Sequence, residues 1–261
     1  MSKVTLVSAV CLFLSCLAVQ AATIGSLSAE RVHIGHNKGG YALTGALFQT
    51  LRSDLESDGH TVKAGTPEVT ASYLSDVDLF FTGLPHLDQK SAGAATTLEQ
   101  GALKSWVMAG GTLIVIGDDM GFDANVNTWL SPFGLTLMDA QISGGTWTSM
   151  ADPLMTGSLL GATYSQNKGG YYAADGFTAY ATTDGKPSVV GSVFGQGRIF
   201  AFADVNSFGS KPGADERQFV RNVAGMADVP PVPLPAGLWL LLSGMGGLAV
   251  ARRKGRRPER A

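Results

Sequence analysis

The segment Thr112-Leu-Ile-Val-Ile-Gly-Asp-Asp119 constrains the fold of this chain more than any other. It is a run of leucine and β-branched residues with no polar alternation. Such a strand must be covered on both faces, and strands of that kind belong to parallel sheets flanked by helices. Immediately upstream, Leu98, Leu103, Trp106 and Val107 recur at helical spacing. Thr97 and Gln100 read as the capping box of that helix and Gly110-Gly111 as its end. Before it, Asp78–Thr82 ("DLFFT") is a second buried strand, closed by Gly83-Leu84-Pro85.

The same alternation runs further back. Arg31–Ile34 reads as a short strand, and a glycine loop follows it. Leu43, Leu47, Phe48, Leu51 and Leu55 then form a helical stripe, with Gly59 at its C-cap. Strand, helix, strand, helix predicts an α/β fold: an open, mostly parallel sheet with helices on both faces. After Asn125 the pattern loosens. "NTWLSPFGLTL" fits a short helix and strand, and Gln141–Gly185 is rich in Gly, Thr and Tyr with few clear periods. "PSVVGSVF", Gly195-Gln196-Gly197 and "RIFAFAD" then read as a C-terminal hairpin, and Asp215–Met226 as a closing helix.

Both ends carry targeting chemistry. Lys3, the apolar stretch Val4–Val19 and Val19-Gln20-Ala21 make a secretory signal peptide over residues 1–21. Cys16, in Phe13-Leu14-Ser15-Cys16, fits a lipoprotein site poorly. Cys11 and Cys16 both lie in this leader, so the processed chain is expected to hold no thiol, no disulfide and no cysteine nucleophile. At the other end, Ala236–Ala251 is apolar but holds four glycines, short of the roughly 20 residues of a full span. Arg252, Arg253, Lys254, Arg256, Arg257 and Arg260 follow it, the arrangement of a stop-transfer anchor with a cytoplasmic basic tail.

Val232-Pro233-Leu234-Pro235-Ala236, the short Gly-rich apolar run and the Arg-rich terminus resemble a PEP-CTERM sorting signal in its V-P-L-P-A form. The resemblance covers residues 230–261, with the transmembrane segment at 236–251. It implies an exosortase-type sorting transpeptidase as partner in a Gram-negative envelope, with transient membrane anchoring, loss of the peg, and delivery to the cell surface or beyond. The body, residues 22–229, carries a second, pattern-level resemblance. "LKSWVMAGGTLIVIGD", then "GQGRIFAFADVNSF" and "FVRNVAGM", are similar to glutamine-amidotransferase-like (flavodoxin-like) domains. That class uses a cysteine after a central strand. The body has none, so the resemblance implies the fold without the activity.

The net charge of −2 conceals a more acidic body. With Lys3, the six tail cations and Glu259 set aside, twelve cations face twenty anions, near −8. No basic stripe is present, so nucleic acid is not an expected partner. No G-x-S-x-G, H-E-x-x-H or P-loop motif occurs.

Ligands of parallel sheets bind beyond the carboxyl ends of the strands. There the sequence places His36 and Asn37, His86, Asp118 and Asp119, and Asp204. His36, Asp118, Asp119 and Asp204 are the catalytic candidates for a hydrolase acting on polysaccharide or glycopeptide, since such groups could hold a divalent metal or provide an acid/base pair. The competing reading makes the aspartates turn and helix caps. Asn-Lys-Gly-Gly-Tyr occurs twice, at Asn37–Tyr41 and Asn167–Tyr171, and reads as two glycine turns. Exposed on a surface, they would suit a sugar, as would Trp129, Trp147, Tyr164, Tyr171 and Tyr172, although Trp is more often core. The balance favours an exported, non-catalytic envelope or extracellular-matrix protein. Exopolysaccharide is a candidate partner, and no metal or cofactor is expected.

Overall fold

The computed structural model describes residues 21–35, 40–87, 92–119, 121–148, 152–156, 159, 162–208 and 214–227. His36, Asn37, nearly all of the expected leader and the whole of the expected sorting signal at 230–261 lie outside the described residues. Among those described, no helix is long and apolar enough to cross a membrane.

Among the described residues, nine strands join in one sheet, in the order β2-β1-β3-β4-β9-β8-β7-β5-β6. Its first half is parallel and short: β2 (Thr61–Val62), β1 (Thr23–Ser26), β3 (Leu79–Phe81), β4 (Thr112–Ile116) and β9 (Gly197–Phe202). Every residue of β3 and β4 is buried, which is why neither shows alternation. The second half, β8 (Lys186–Phe194), β7 (Thr178–Thr183), β5 (Thr136–Trp147) and β6 (Thr163–Ala173), is antiparallel. A mixed α/β fold around a large sheet is therefore present, but parallel pairing stops at β9. The stretch expected to lack periodicity supplies β6, β7 and most of β5. Register shifts interrupt the β5–β6 and β7–β8 ladders and blur the two-residue pattern. The expected hairpin is β8–β9, turning at Gly195 with φ +66°.

Among the described residues, five helices accompany the sheet: α1 (Gln49–Ser57), α2 (Ala71–Leu74), α3 (Thr97–Met108), α4 (Asp123–Leu130) and α5 (Ala214–Ala227). Adjacent β3 residues show how the two faces are covered, since neighbours on a strand point oppositely. Phe81 meets Phe48, just before α1, at 5.0 Å between ring centroids, and Phe80 meets Tyr73 of α2 at 6.3 Å. α5 returns to α1, where Arg217 pairs with Asp54 at 3.1 Å and Arg221 with Asp58 at 2.6 Å.

Two local expectations are corrected. Arg31–Ile34 is not a strand. Arg31 ends a 3-10 turn (Ala29–Arg31), Val32 makes only an isolated bridge to Pro85, and the first strand is Thr23–Ser26. The reason is that Arg31 turns inward. Its guanidinium bonds Glu99 at 2.8 and 3.3 Å, donates to the carbonyls of Pro67, Ala92 and Ala94, and lies 5.6 Å from the Trp129 ring. The α3 capping box is also one residue earlier than Thr97/Gln100. Thr96 Oγ1 accepts from Glu99 N–H at 3.2 Å, and the Glu99 carboxylate accepts from Thr96 N–H at 2.8 Å. One carboxylate thus both caps the helix and neutralises the buried arginine.

Candidate functional site

β4 and β9 are in register up to Ile116↔Phe202, and Gly117 N–H continues the pairing to the Phe202 carbonyl at 2.7 Å. Asp118 and Asp204 each stand two residues past a strand end, so the ladder itself brings the two carboxyls together. Asp204 is fully buried and Asp118 is 6 % exposed. Burial, the Asp204 charge and a hydrogen bond between the two carboxyls push Asp118 up to about 8. Burial also raises Asp204, to about 6, against the lowering effect of the N–H groups it accepts. With both raised, the pair favours sharing one proton over carrying two charges around neutral pH.

Each oxygen of Asp204 is already engaged by the chain. Oδ2 accepts from Asn167 N–H on β6, and Oδ1 accepts from Asn206 N–H at 2.7 Å, at the start of the 3-10 turn Val205–Phe208. Asp118 Oδ1 accepts from Asp119 N–H at 2.9 Å. Asp119 points further out, where its Oδ2 accepts from Gln141 Nε2 at 3.1 Å. Three of the four hydrolase candidates therefore converge, and His36 lies outside the described residues.

Two further parts of this site are not marked by strand-end position in the sequence. The first is Tyr41, whose hydroxyl is raised by burial and by the charges of Asp118 and Asp204. Its N–H donates to the His33 carbonyl at 2.9 Å, and the His33 ring lies 5.6 Å from Tyr41, 5.8 Å from His86 and 5.1 Å from Phe122. The two histidines thus belong to an aromatic cluster beside the carboxyls. The second is the segment Gln166–Gly170 of β6. A Cβ on Gly169 would stand 2.5 Å from Asp204 Cβ, and one on Gly170 would stand 2.7 Å from the Met138 carbonyl oxygen. Lys168 takes φ +62° and donates its N–H to Ser143 Oγ at 2.9 Å. Gln166 ties the segment down, donating to the Gly170 carbonyl at 2.7 Å and accepting from Thr183 Oγ1 at 2.9 Å.

The repeated Asn-Lys-Gly-Gly-Tyr is the signal that could have found both. The second copy lies within β6 rather than in an exposed turn, and its glycines fit over Asp204. The first copy ends in Tyr41. Its Gly40 has φ +65°, and a Cβ there would stand 2.8 Å from the His33 carbonyl oxygen. The aromatic surface imagined for a sugar is not formed, because Trp129, Trp147, Tyr164 and Tyr172 are all core residues. Tyr171 is half-buried, with Lys186 Nζ 4.3 Å from its ring centroid. Among the described residues, no group of three or more His, Cys, Asp or Glu side chains is placed to hold a metal ion.

Neither a protein-family model nor a curated protein matches this chain. Solved structures resemble it in fold. The mmIFT52 N-terminal domain is 15 % identical, with a TM-score of 0.57, covering 77 % of this chain and 95 % of that one. Cytoplasmic protein STM1381 from Salmonella typhimurium LT2 is 16 % identical, with a TM-score of 0.56 and coverages of 80 % and 99 %. Cytoplasmic protein STM3548 from Salmonella typhimurium is 15 % identical, with a TM-score of 0.52 and coverages of 78 % and 98 %. At these identities the likeness is one of fold alone.

Proposed function

We propose that this chain is an exported envelope or extracellular-matrix protein, sorted by an exosortase through its V-P-L-P-A signal, whose body (residues 22–229) binds rather than turns over its ligand. The support for sorting is in the sequence: a leader at one end, and proline pair, marginal span and basic tail at the other. The parallel strands in the order β2-β1-β3-β4-β9 favour a flavodoxin-like body of the amidotransferase-like type, without its nucleophile.

One observation carries the non-catalytic reading. Asp204 is fully buried, and its two oxygens are occupied by backbone N–H groups of Asn167 and Asn206. A general acid or base must come within hydrogen-bond reach of substrate, and with Gln166–Gly170 in place this one is covered by its own chain. A hydrolase reading draws on Asp118, which holds its proton near neutral pH as a general acid does.

A polysaccharide-hydrolysis and glycan-array screen separates the two readings. Binding without product release is expected, unchanged in Asp118→Ala. Product release that disappears in Asp118→Ala would establish the hydrolase. For sorting, mass spectrometry of protein released from cells with an active exosortase is expected to find a C-terminus near Val232–Ala236. Recovery of Ala261 on the exported species would refute it.

A further inference from the structure

The Asp118–Asp204 pair is roofed by one short piece of chain. Asn167 N–H bonds Asp204, Gly169 lies against the Asp204 Cβ, and Gly170 N–H donates to the Ala203 carbonyl at 3.0 Å. The Gly170 Cα also sits close to the Asp118 carbonyl oxygen, 3.3 Å from where its Cβ would be. Water reaches the pair from this side only if Gln166–Gly170 moves. We propose that Gln166–Gly170 is a lid over the Asp118–Asp204 pair, closed while the two carboxyls share a proton and lifted when that proton is lost.

The physical basis is the cost of two adjacent charges without water. With one proton shared between the carboxyls, the single negative charge is held by the N–H groups of Asn167 and Asn206. When the proton leaves to solvent, two carboxylates face each other in the interior, and neither can keep its charge there unsolvated. Among the described residues, the groups whose charges act on them are also acids: Asp119 from the loop after β4, Tyr41 from the loop after β1, and Tyr164 from β6, while the His33 ring lies beside Tyr41 with His86 against it. None of these acids supplies a compensating positive charge.

The hinge chemistry is local. Lys168 is in the left-handed region and two glycines follow it, at a stretch where the β5–β6 ladder is interrupted; lifting the segment breaks its pairing at Ile142↔Gly169 and Gly144↔Gln166, the Gly170 N–H bond to Ala203 and the side-chain bonds from Gln166 and Ser143. A second buried acid, Glu216 on α5, accepts from Ser165 N–H at 2.9 Å just outside the lid. It anchors the strand next to the moving segment. Lifting the lid opens Asp118 and Asp204 beside the partly exposed Asp119 and Tyr41, so access to the carboxyl pair follows pH. This inference concerns access alone and stands whether or not the edge binds a glycan.

Amide hydrogen exchange of the full chain between pH 5.5 and 8.5, corrected for intrinsic exchange, tests the lid. If opening releases one proton, the opening constant of the 167–170 amides rises about tenfold per pH unit while the pair titrates. The central amides of β4 and β9 are expected to stay protected throughout. Asp118→Asn keeps a donor toward Asp204 but removes the second charge, and should abolish the pH slope. Glu216→Gln should leave it in place. A pH-independent lid in the wild type, the same slope spread over β4 and β9, a slope retained in Asp118→Asn, or one lost in Glu216→Gln would each overturn the proposal. The wild-type measurement alone decides if Asp118→Asn does not fold.

Discussion

Gly169 rests directly on Asp204: a Cβ at Gly169 would stand 2.5 Å from that of the aspartate and 2.7 Å from the Ala203 carbonyl oxygen. Both obstacles are fixed, one by the sheet and one by the Asp204 hydrogen bonds. Gly169→Ala is therefore expected to destabilise the protein by about 2–3 kcal/mol, the range of an overpacked core. Gly101, inside α3 with nothing within 4 Å of a would-be Cβ, gives the contrast. Gly101→Ala should stabilise by roughly 0.5–1 kcal/mol through helix propensity. Urea unfolding of the two variants checks both signs.

Stability should fall as pH rises through neutrality. Burial raises Asp118, Asp204 and Glu216, to about 8, 6 and 7. In the unfolded chain such groups titrate near pH 4. Between those limits the folded state binds more protons, so these groups favour folding most below their unfolded pKa and lose that contribution as pH climbs through their folded values. Two carboxylates act oppositely. Burial pushes Glu99 up, but the hydrogen bonds from Arg31 and from the Thr96 and Val69 N–H groups outweigh it, and Arg221 holds Asp58 low. Their contribution is lost as pH drops below the unfolded value. A scan of Tm from pH 4 to 9 should peak at about pH 5 and decline toward 8. A maximum above pH 7 would contradict this assignment of protons.

The capping register of α3 can be read from three substitutions. Glu99→Ala removes the partner of a buried arginine and should cost about 3–5 kcal/mol. Thr96→Ala should cost about 1 kcal/mol as a lost N-cap. Thr97→Ala should stay within roughly 0.5 kcal/mol. Equal losses for the two threonines would contradict the observed cap.

Asp204 and Asp119, two candidates of the same chemical type, should behave differently. Asp204→Ala leaves the N–H groups of Asn167 and Asn206 without their acceptor and is expected to cost roughly 2–4 kcal/mol. Asp119→Ala gives up one bond from Gln141 at a partly exposed position and should cost about 0.5 kcal/mol or less. Thermal unfolding of both variants at pH 5.5 decides.

What was legible in the sequence follows from burial. β3 and β4 are buried throughout, so their composition alone announced them, as did the glycine turn of β8–β9; of the expected helical stripe only Leu51 and Leu55 lie in α1, and Leu43, Leu47 and Phe48 precede it. β1 was invisible because Thr23-Ile-Gly-Ser26 is four small or mixed residues whose strand state depends on neighbours on both sides. Arg31 misled because an arginine beside Val and Ile reads as one face of a strand, whereas its partner Glu99 is 68 residues away. Asp118 and Asp204 were legible as strand-end residues. Their closure was not, because it depends on Gly169 and Gly170 crossing from β6, and a glycine pair does not disclose what it packs against.

The position of β9 has a consequence for how the chain is made. It is the last described strand in sequence, yet it lies mid-sheet, between β4 and β8, and is the seam joining the parallel and antiparallel halves. Until residues 197–202 are available, β4 presents an open edge, and the Asp118 carboxyl has no Asp204 to meet. A polypeptide threaded N-terminus first through a narrow channel would find no complete sheet to form until most of its length had passed. Late-arriving central strands raise the separation of contacting residues and slow folding. If the chain is exported as proposed, that delay would keep it loose enough to travel.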